Sequence, residues 1–136
     1  MAGLRRDEID SLQWLSFLWT RKVIRIERTE HFSPKSEKSL GDIDVDAEII
    51  DIFKEYHAKA KGPFVVASRN PPRPKGYRCQ RDIEALLTWL RVHGVKSRKP
   101  LHDLRKEFGS LLIDQHGIFV ASRMLRHSSA AITEMH

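Results

Sequence analysis

The sequence is poor in the residues and motifs on which several classes of functional site depend. Its 136 residues include a single cysteine, Cys79, which excludes an intramolecular disulfide and a zinc site built on paired cysteines. It has no glycine-rich phosphate-binding loop, and no two histidines have the spacing of a metal-binding helix. No apolar run approaches the roughly 20 residues of a membrane span, and residues 1–6 lead into no signal-peptide core. We therefore expect a soluble, cytoplasmic protein with an inert cysteine.

Positive charge is the most prominent property of the composition. There are 24 Lys and Arg residues against 18 Asp and Glu residues, so the net charge is +6 at neutral pH. This excess favours an anionic partner such as nucleic acid, although many basic enzymes share it. Because 40% of the residues are hydrophobic, the chain should fold as one domain, residues 1–136, with a packed core.

The hydrophobic pattern predicts an α+β fold that is mainly helical. Short β-branched or alternating runs predict strands at residues 23–26, 42–45 and 64–67. Apolar residues three or four apart predict helices over residues 4–19, 47–61, 83–93, 101–115 and 118–125, with a last helical piece after residue 129. The polar residues 29–39 should turn at Pro34 between the first two strands, and residues 68–76 should form an exposed basic loop.

Several residues outside any motif are expected to be structural. Trp14, Trp19 and Trp89 fall on or beside apolar helix stripes and should contribute to the core or to a domain contact. The cations of the exposed loop are either solvated or in contact with the phosphate of an anionic partner. They are Arg69, Arg73 and Lys75.

Spacing alone indicates one pair of candidate site residues. His102 and Arg105 stand three apart in a predicted helix, so their side chains should lie on one side of it and could bind one ligand. An isolated pair of this kind more often belongs to a solvated helix face.

Four short motifs occur in order along the chain. They are Gly-Leu-Arg-Arg-Asp-Glu at residues 3–8, Lys-Ser-Glu-Lys-Ser at 35–39, His-Asp-Leu-Arg-Lys-Glu-Phe-Gly at 102–109, and Leu-Arg-His-Ser-Ser at 125–129. Together they resemble the motifs of the tyrosine recombinases, the phage integrase family, whose boxes read Gly-Leu-Arg-x-x-Glu, Lys-Thr-x-Lys-Ser, His-Asp-Leu-Arg-x-x-Phe-Ala and Leu-Gly-His-Ser-Ser. The resemblance covers nearly the whole chain, and its last two motifs are the most specific.

The resemblance implies a DNA breaking-rejoining catalytic core with a small antiparallel β-sheet or hairpin. The implied activity is site-specific recombination or integration of double-stranded DNA, by transesterification through a covalent 3′-phosphotyrosyl intermediate. The implied assembly is a homotetramer on DNA. Neither a metal nor a nucleotide cofactor is implied, and neither a membrane nor a small-molecule substrate. Because the family carries further helices and a core-binding domain before the first motif, we expect residues 1–136 to be a partial catalytic domain, truncated at both ends.

The resemblance also implies roles for the basic residues of the motifs. Arg5 and Arg105 would clamp the non-bridging phosphate oxygens, because a guanidinium offers two parallel hydrogen bonds to developing negative charge. His127 would add a third donor, and Glu8 would support Arg5.

Proton transfer is implied for the other motif residues. Lys35 resembles the general acid that protonates the departing 5′ oxygen, although Lys38 is an alternative source of this amine. His102 would hold or relay a proton beside the attacking group.

The sequence departs from the family at two positions. The only tyrosines, Tyr56 and Tyr77, precede the last motif, whereas the family's nucleophile follows it. Either a tyrosine lies just beyond residue 136, which we favour, or His136 has replaced it. The second departure is Arg126, which stands where the family has glycine and would be either a phosphate contact or a solvated charge.

Three hypotheses follow from the sequence. The first is a piece of a recombinase, either an integrase of a mobile element or a resolvase. The second is a catalytically silent DNA-binding remnant or regulator that retains the fold. The third is a basic helical protein with an unrelated partner.

Overall fold

The computed structural model describes residues 3–34, 37–72 and 76–126, and it confirms an α+β fold that is mainly helical. The helices are α1 (Arg6–Ser11), α2 (Ala47–Lys59), α3 (Gln80–Val92), α4 (Pro100–His116) and α5 (Ile118–Met124). The strands are β1 (Phe17–Leu18), β2 (Val23–Ile26) and β3 (Gly41–Asp44), and 3₁₀ turns cover Trp14–Ser16, Trp19–Arg21 and Glu37–Ser39. No helix in the described part of the chain is long and apolar enough to cross a membrane. The helical piece predicted after residue 129 lies outside the described residues.

The three strands form one antiparallel sheet in the order β1-β2-β3. Ile24 in the central strand pairs with Phe17 on one side and with Ile43 on the other, and all three side chains are buried. Because successive strand residues point to opposite faces, Arg25 and Asp42 pair on the other face, where the Arg25 Nε donates to the Asp42 carboxylate at 2.8 Å. The two predicted hairpin strands are therefore confirmed, with β3 one residue earlier than expected.

The first predicted helix is wrong beyond Ser11, where α1 ends. The backbone N–H of Trp14 donates to the carbonyl of Pro63 at 2.9 Å, and the carbonyl of Leu12 accepts from the N–H of Val65 at 2.9 Å. Because these backbone groups pair with a distant segment, they cannot enter a helical ladder. The chain from Leu12 onward therefore follows a 3₁₀ turn into β1.

The strand predicted at residues 64–67 is also wrong. Within the described residues this segment contributes a single bridge, between Phe64 and Gln13. The edge position beside β2 is occupied by β1, which the sequence pattern did not predict. The segment thus serves to hold the chain that leads from α1 into the sheet.

Two hydrophobic clusters organise the fold. The larger one joins the sheet to the chain after α1 and to α2, and its buried residues are Leu12, Trp14, Phe17, Ile24, Ile26, Ile43 and Ile50. The smaller one packs α4 against α5 through Leu112, Ala121 and Leu125. The two helices are separated by Gly117, whose φ of +80° lies in the left-handed region that favours glycine. Helices α2 to α5 confirm the predicted helices of this part of the chain.

The tryptophans differ in their surroundings. Trp14 is buried, and Trp19 packs against the same cluster with its ring 4.7 Å from that of Phe17. Trp89 is 56% exposed and stacks on His93 at 4.1 Å within α3. Trp14 and Trp19 therefore contribute to the core as expected. Trp89 lies on the solvent side of its helix, outside the core, and its role in a domain contact stays a prediction.

Asp10 joins α1 to the start of α3. Its carboxylate accepts hydrogen bonds from the backbone N–H of Cys79 at 2.7 Å and of Arg78 at 3.1 Å, and from the Cys79 thiol at 2.8 Å. Burial acts to raise the pKa of the Asp10 carboxyl, but these hydrogen bonds outweigh it, so the pKa lies below its ordinary value. Burial, reinforced by Asp10, raises the pKa of the Cys79 thiol to about 12, which keeps the thiol protonated at neutral pH.

We predict that Asp10→Ala lowers the free energy of unfolding by about 2 kcal/mol, because it leaves two buried N–H groups without an acceptor. Urea denaturation at neutral pH measures this change. The difference from wild type should persist above the unfolded pKa of 3.8 and vanish as the pH falls through the lower folded pKa. The control is Asp51→Ala, which breaks an exposed pair with Lys54 and should change stability by less than about 0.5 kcal/mol. Equal effects of the two substitutions would contradict this role of Asp10.

Candidate active site

The structure brings residues of three of the four motifs together around one buried carboxylate. Arg5 and Glu8 of the first motif lie at the start of α1, and Arg105 of the third motif lies in α4. Arg126 of the fourth motif follows α5 directly. The packing of α4 against α5 places the third motif beside the fourth, and hydrogen bonds from Arg105 to Gly3 and from Arg126 to Glu8 join both to the first.

Glu8 is the centre of this arrangement and is only 2% exposed. Its Oε2 accepts from the backbone N–H of Arg5 at 2.7 Å and from Nη2 of Arg126 at 2.6 Å. Its Oε1 accepts from Nη1 of Arg5 at 2.9 Å. Because Glu8 occupies the first turn of α1 and bonds back to the residue before the helix, it also caps the helix.

Opposing effects determine the ionisation of Glu8. Burial acts to raise the pKa of its carboxyl, but the charge of Arg126 and the hydrogen bonds from Arg5 and Arg126 outweigh this. The pKa therefore lies below the ordinary value of 4.5, and Glu8 is ionised at neutral pH. Glu8 can thus act as a fixed anion that orients two guanidinium groups.

Arg105 binds backbone carbonyls of the first and fourth motifs. Its guanidinium donates to the carbonyls of Gly3 and Leu125, and the residue is 9% exposed. Burial lowers the pKa of Arg105 to about 10, the charges of Arg5 and Arg126 act in the same direction, and Glu8 opposes them. The side chain is therefore cationic at neutral pH in a setting that disfavours its charge.

The glycine of the first motif has a steric role in this contact. Gly3 has a φ of +55°, in the left-handed region, and a Cβ there would lie 2.7 Å from the Phe108 ring and 3.1 Å from Leu125. Any other residue would be strained at this φ and would require the Phe108 ring or the backbone of the first motif to shift. A shift of the backbone would disturb the hydrogen bond from Arg105 to the Gly3 carbonyl.

Arg5 is the most accessible of the three arginines, with a side chain that is 35% exposed. Besides its pair with Glu8, it donates through Nη2 to the carbonyl of Arg126 at 3.1 Å. Arg5 and Arg105 therefore bind consecutive carbonyls at the end of α5. The hydrogen bonds hold both guanidinium groups at the same point of the backbone.

The cluster has an excess of positive charge. Three guanidinium groups, of Arg5, Arg105 and Arg126, surround the single carboxylate of Glu8. Such an arrangement in a part-buried setting attracts an anion, which would relieve the repulsion among the cations. No group of three or more His, Cys, Asp or Glu in the described part of the chain is arranged to hold a metal ion.

The remaining predicted site residues are not all placed by the structure. His102 is exposed on α4, one turn before Arg105, as the spacing predicts. Lys38 is exposed in the 3₁₀ turn Glu37–Ser39. Lys35, His127 and His136 lie outside the described residues.

Arg126 is buried, although the sequence allowed it to be an exposed, solvated charge. It is 5% exposed, so the interpretation as a solvated charge is wrong. Burial lowers the pKa of the Arg126 guanidinium, and the negative charge of Glu8 only partly offsets this. The departure from glycine in the fourth motif was the only sequence signal at this position, and it did not reveal the contact with Glu8.

A second basic feature is an open groove of about 1080 Å³ beside the end of α2 and the start of α3. Its charged lining residues are Lys59, Lys61, Arg69, Arg78, Arg81 and Asp82. Arg69 of the predicted basic loop therefore lies among other cations, and Arg73 and Lys75 fall outside the described residues. The lining of this groove includes none of the charged residues of the Glu8 cluster, so it is a separate basic feature.

Comparison with solved structures identifies the fold. The chain matches the crystal structure of XerA recombinase with a TM-score of 0.73, at 18% identity, over 98% of this chain and 48% of that chain. It matches the Tn1549 transposon integrase in complex with transposon right end DNA with a TM-score of 0.68, at 16% identity, over 97% of this chain and 49% of that one. It also matches the same integrase in complex with circular intermediate DNA, with a TM-score of 0.65, at 17% identity, over 97% of this chain and 50% of that one.

The chain thus has the fold of a recombinase catalytic domain and spans about half the length of these proteins. No protein-family model and no curated protein sequence matches it. The likeness at this level of identity establishes the fold, and the activity has to be argued from the chain's own residues.

We predict that Glu8→Ala lowers the free energy of unfolding by about 3–5 kcal/mol, because it leaves buried guanidinium groups without their anion. Chemical denaturation of both proteins at neutral pH measures the loss. The contribution of Glu8 should be complete above the unfolded pKa of 4.5 and should disappear as the pH falls through the lower folded pKa. Glu37→Ala is the control, because Glu37 pairs with Arg28 at an exposed site where the effect should stay below about 1 kcal/mol. A loss at Glu8 as small as this control would show that the carboxylate does not hold the cluster.

Proposed function

We propose that this chain acts on double-stranded DNA as the catalytic domain of a site-specific recombinase or integrase. One observation carries the proposal: the first and fourth motifs meet at the Glu8 carboxylate, and Arg105 of the third motif is bonded to both through the carbonyls of Gly3 and Leu125. Guanidinium groups therefore outnumber carboxylates where these motifs meet. The recombinase fold of the chain supports it independently. We further propose that residues 1–136 form one partial catalytic domain and that the full-length protein acts as a homotetramer on DNA.

The proposed substrate contact is a phosphodiester held by Arg5 and Arg105. A guanidinium has five N–H donors, and the side-chain hydrogen bonds described above use two on each residue. The remaining donors are suited to the non-bridging oxygens, on which negative charge builds during attack. Since both groups are already fixed by Glu8 and by backbone carbonyls, little reorganisation is needed when the phosphate binds.

The proposed proton transfers involve the other basic residues of the motifs. Lys35 or Lys38 would protonate the departing 5′ oxygen, and the Ser39 carbonyl beside Lys38 accepts from Arg126 at 3.1 Å. His127 would add a donor to the phosphate, and His102 would hold or relay a proton near the attacking group. No metal or nucleotide cofactor enters this scheme, because the covalent protein–DNA link conserves the energy of the broken phosphodiester.

The proposed nucleophile is a tyrosine beyond residue 136, with His136 as the alternative. The tyrosines of the described chain have other surroundings. A hydrogen bond to Asp7, assisted by burial, raises the pKa of Tyr77, and the Arg6 guanidinium lies 3.8 Å from its ring centre. A raised pKa opposes formation of the phenolate that attacks phosphorus. Tyr56 is 65% exposed on α2, at the groove beside α3.

A second candidate function is a silent DNA-binding module that retains the fold and the cationic cluster. The observation that favours it is that neither tyrosine of the chain belongs to the Glu8 cluster. Binding of DNA is common to both functions, and only the formation of a covalent adduct separates them.

We predict weak, salt-sensitive binding of this chain to duplex DNA with little sequence preference. Arg5→Ala should weaken binding and reduce the slope of log affinity against log salt by about 1, because one phosphate contact is lost. Fluorescence anisotropy of a labelled duplex over a salt series measures both quantities. Lys54→Ala removes an exposed cation that pairs with Asp51 on α2 and serves as the control. Tight binding that is insensitive to salt, or an unchanged slope in Arg5→Ala, would contradict the proposed contact.

We predict a covalent protein–DNA adduct on a nicked suicide substrate when the protein includes the residues encoded after codon 136. Arg105→Lys should reduce the yield of adduct on the order of 100-fold, because a lysine cannot replace the fork of the guanidinium. This variant keeps the charge beside Gly3 and Leu125, so it tests the contact without removing the cation from the fold. DNA binding without any adduct would favour the silent module. A robust adduct from Arg105→Ala would contradict the assignment of Arg105.

A further inference from the structure

Arg126 holds a backbone conformation that disfavours a side chain. Its φ is +54°, in the left-handed region where glycine is the usual residue. Lys22 is the other non-glycine residue with such a φ in the described chain, and it is exposed at the end of a 3₁₀ turn. Arg126, by contrast, is buried. An arginine at this position is therefore retained against the preference of the backbone.

The contacts of Arg126 join three separate segments. Its Nη2 donates to Glu8 at 2.6 Å, and its Nε donates to the carbonyl of Ser39 at 3.1 Å. Its own carbonyl accepts from Nη2 of Arg5 at 3.1 Å. The start of α1, the turn Glu37–Ser39 and the end of α5 therefore meet at this one residue.

We propose that Arg126 is a positioning residue, which fixes Arg5 through Glu8 and holds the lysine-bearing turn Glu37–Ser39 against the cationic cluster. Its relevance to catalysis rests on the function proposed above, whereas its effect on Glu8 and on the turn is a property of the folded chain. A glycine at this position would relieve the backbone but could supply neither contact.

The distribution of hydrogen bonds over the two oxygens of Glu8 supports this role. Oε1 serves the Arg5 side chain, while Oε2 is shared between the Arg5 backbone and Arg126. Without Arg126, Glu8 would stay buried with fewer donors and one cation fewer beside it, so its ionised form would be less stable. The charged groups that act on Glu8 among the described residues are Arg5 from the start of α1, Arg105 from α4, and Arg126.

The first test measures the titration of the Glu8 carboxyl by carbon-13 NMR in the full chain. Arg126→Gly should raise the pKa of Glu8 compared with wild type, because burial persists while the charge and hydrogen bond of Arg126 are lost. Lys22→Gly is the matched control, since it makes the same backbone change and removes one cation without touching Glu8. It should leave the Glu8 titration unchanged. An unchanged Glu8 titration in Arg126→Gly would overturn the proposal, and this readout does not depend on DNA.

The second test uses amide hydrogen exchange at the turn Glu37–Ser39 and at Leu40, whose N–H donates to the Glu37 carbonyl at 3.0 Å. Arg126→Lys keeps the charge near Glu8 but lacks the fork that reaches Glu8 and Ser39 together. We expect faster exchange at the turn with a Glu8 titration close to that of wild type. This conservative variant carries the test if Arg126→Gly does not fold. Exchange as slow as in wild type would overturn the role in holding the turn.

The third test is the salt dependence of DNA affinity. Because a positioning residue acts on DNA through Arg5, Arg126→Gly should weaken binding about tenfold at neutral pH, and adding it to Arg5→Ala should leave the salt slope at the value of Arg5→Ala alone. A slope reduced by a further 1 or so in the double variant would make Arg126 a direct phosphate contact and overturn the proposal. If wild type binds no DNA, the proposed function fails, while the NMR and exchange results still decide the role of Arg126.

Discussion

The structure of the site depends on a buried carboxylate that is shared between two guanidinium groups. An isolated ionised carboxyl would be too costly to bury, and Glu8 is stable in this form because Arg5 and Arg126 bind opposite sides of it. These partners come from opposite ends of the described chain, and they meet only when the apolar contact of Leu112 with Leu125 has packed α4 against α5. The geometry of the cationic cluster therefore depends on the packing of the last two helices.

The cluster is left with a charge that the protein itself does not balance. Burial and the neighbouring cations together disfavour the charge on Arg105, as its lowered pKa of about 10 records. A bound phosphate would offset the repulsion from the neighbouring cations. This stabilisation would increase as negative charge grows on the phosphate oxygens. If the proposed phosphodiester binds here, the repulsion among the guanidinium groups, which Glu8 and backbone carbonyls hold in place, would favour the more highly charged state of that substrate.

The sequence predicted what local patterns and motif order can encode. The β-branched run of β2 and the apolar stripes of α2 to α5 are local features, and the motifs predicted Arg5, Glu8 and Arg105 as members of one site. The end of α1 could not be predicted, because it depends on hydrogen bonds from distant residues 63–65, and the 86% exposure of Leu15 contradicts the helical stripe. The role of Arg126 was equally hidden, since its partner Glu8 is 118 positions away and its φ cannot be read from the sequence.

Helix α1 connects the cationic cluster to the rest of the fold, and because it is short it depends on contacts on both of its sides. A helix of six residues is not stable alone, so its position is set by its contacts. Glu8 and Asp10 stand two residues apart, which places them on nearly opposite sides of the helix. Glu8 binds the arginines of the cluster, while Asp10 accepts from the first N–H groups of α3. Because one short helix bears both contacts, the position of Arg5 at its start depends on α3 as well as on the cluster itself.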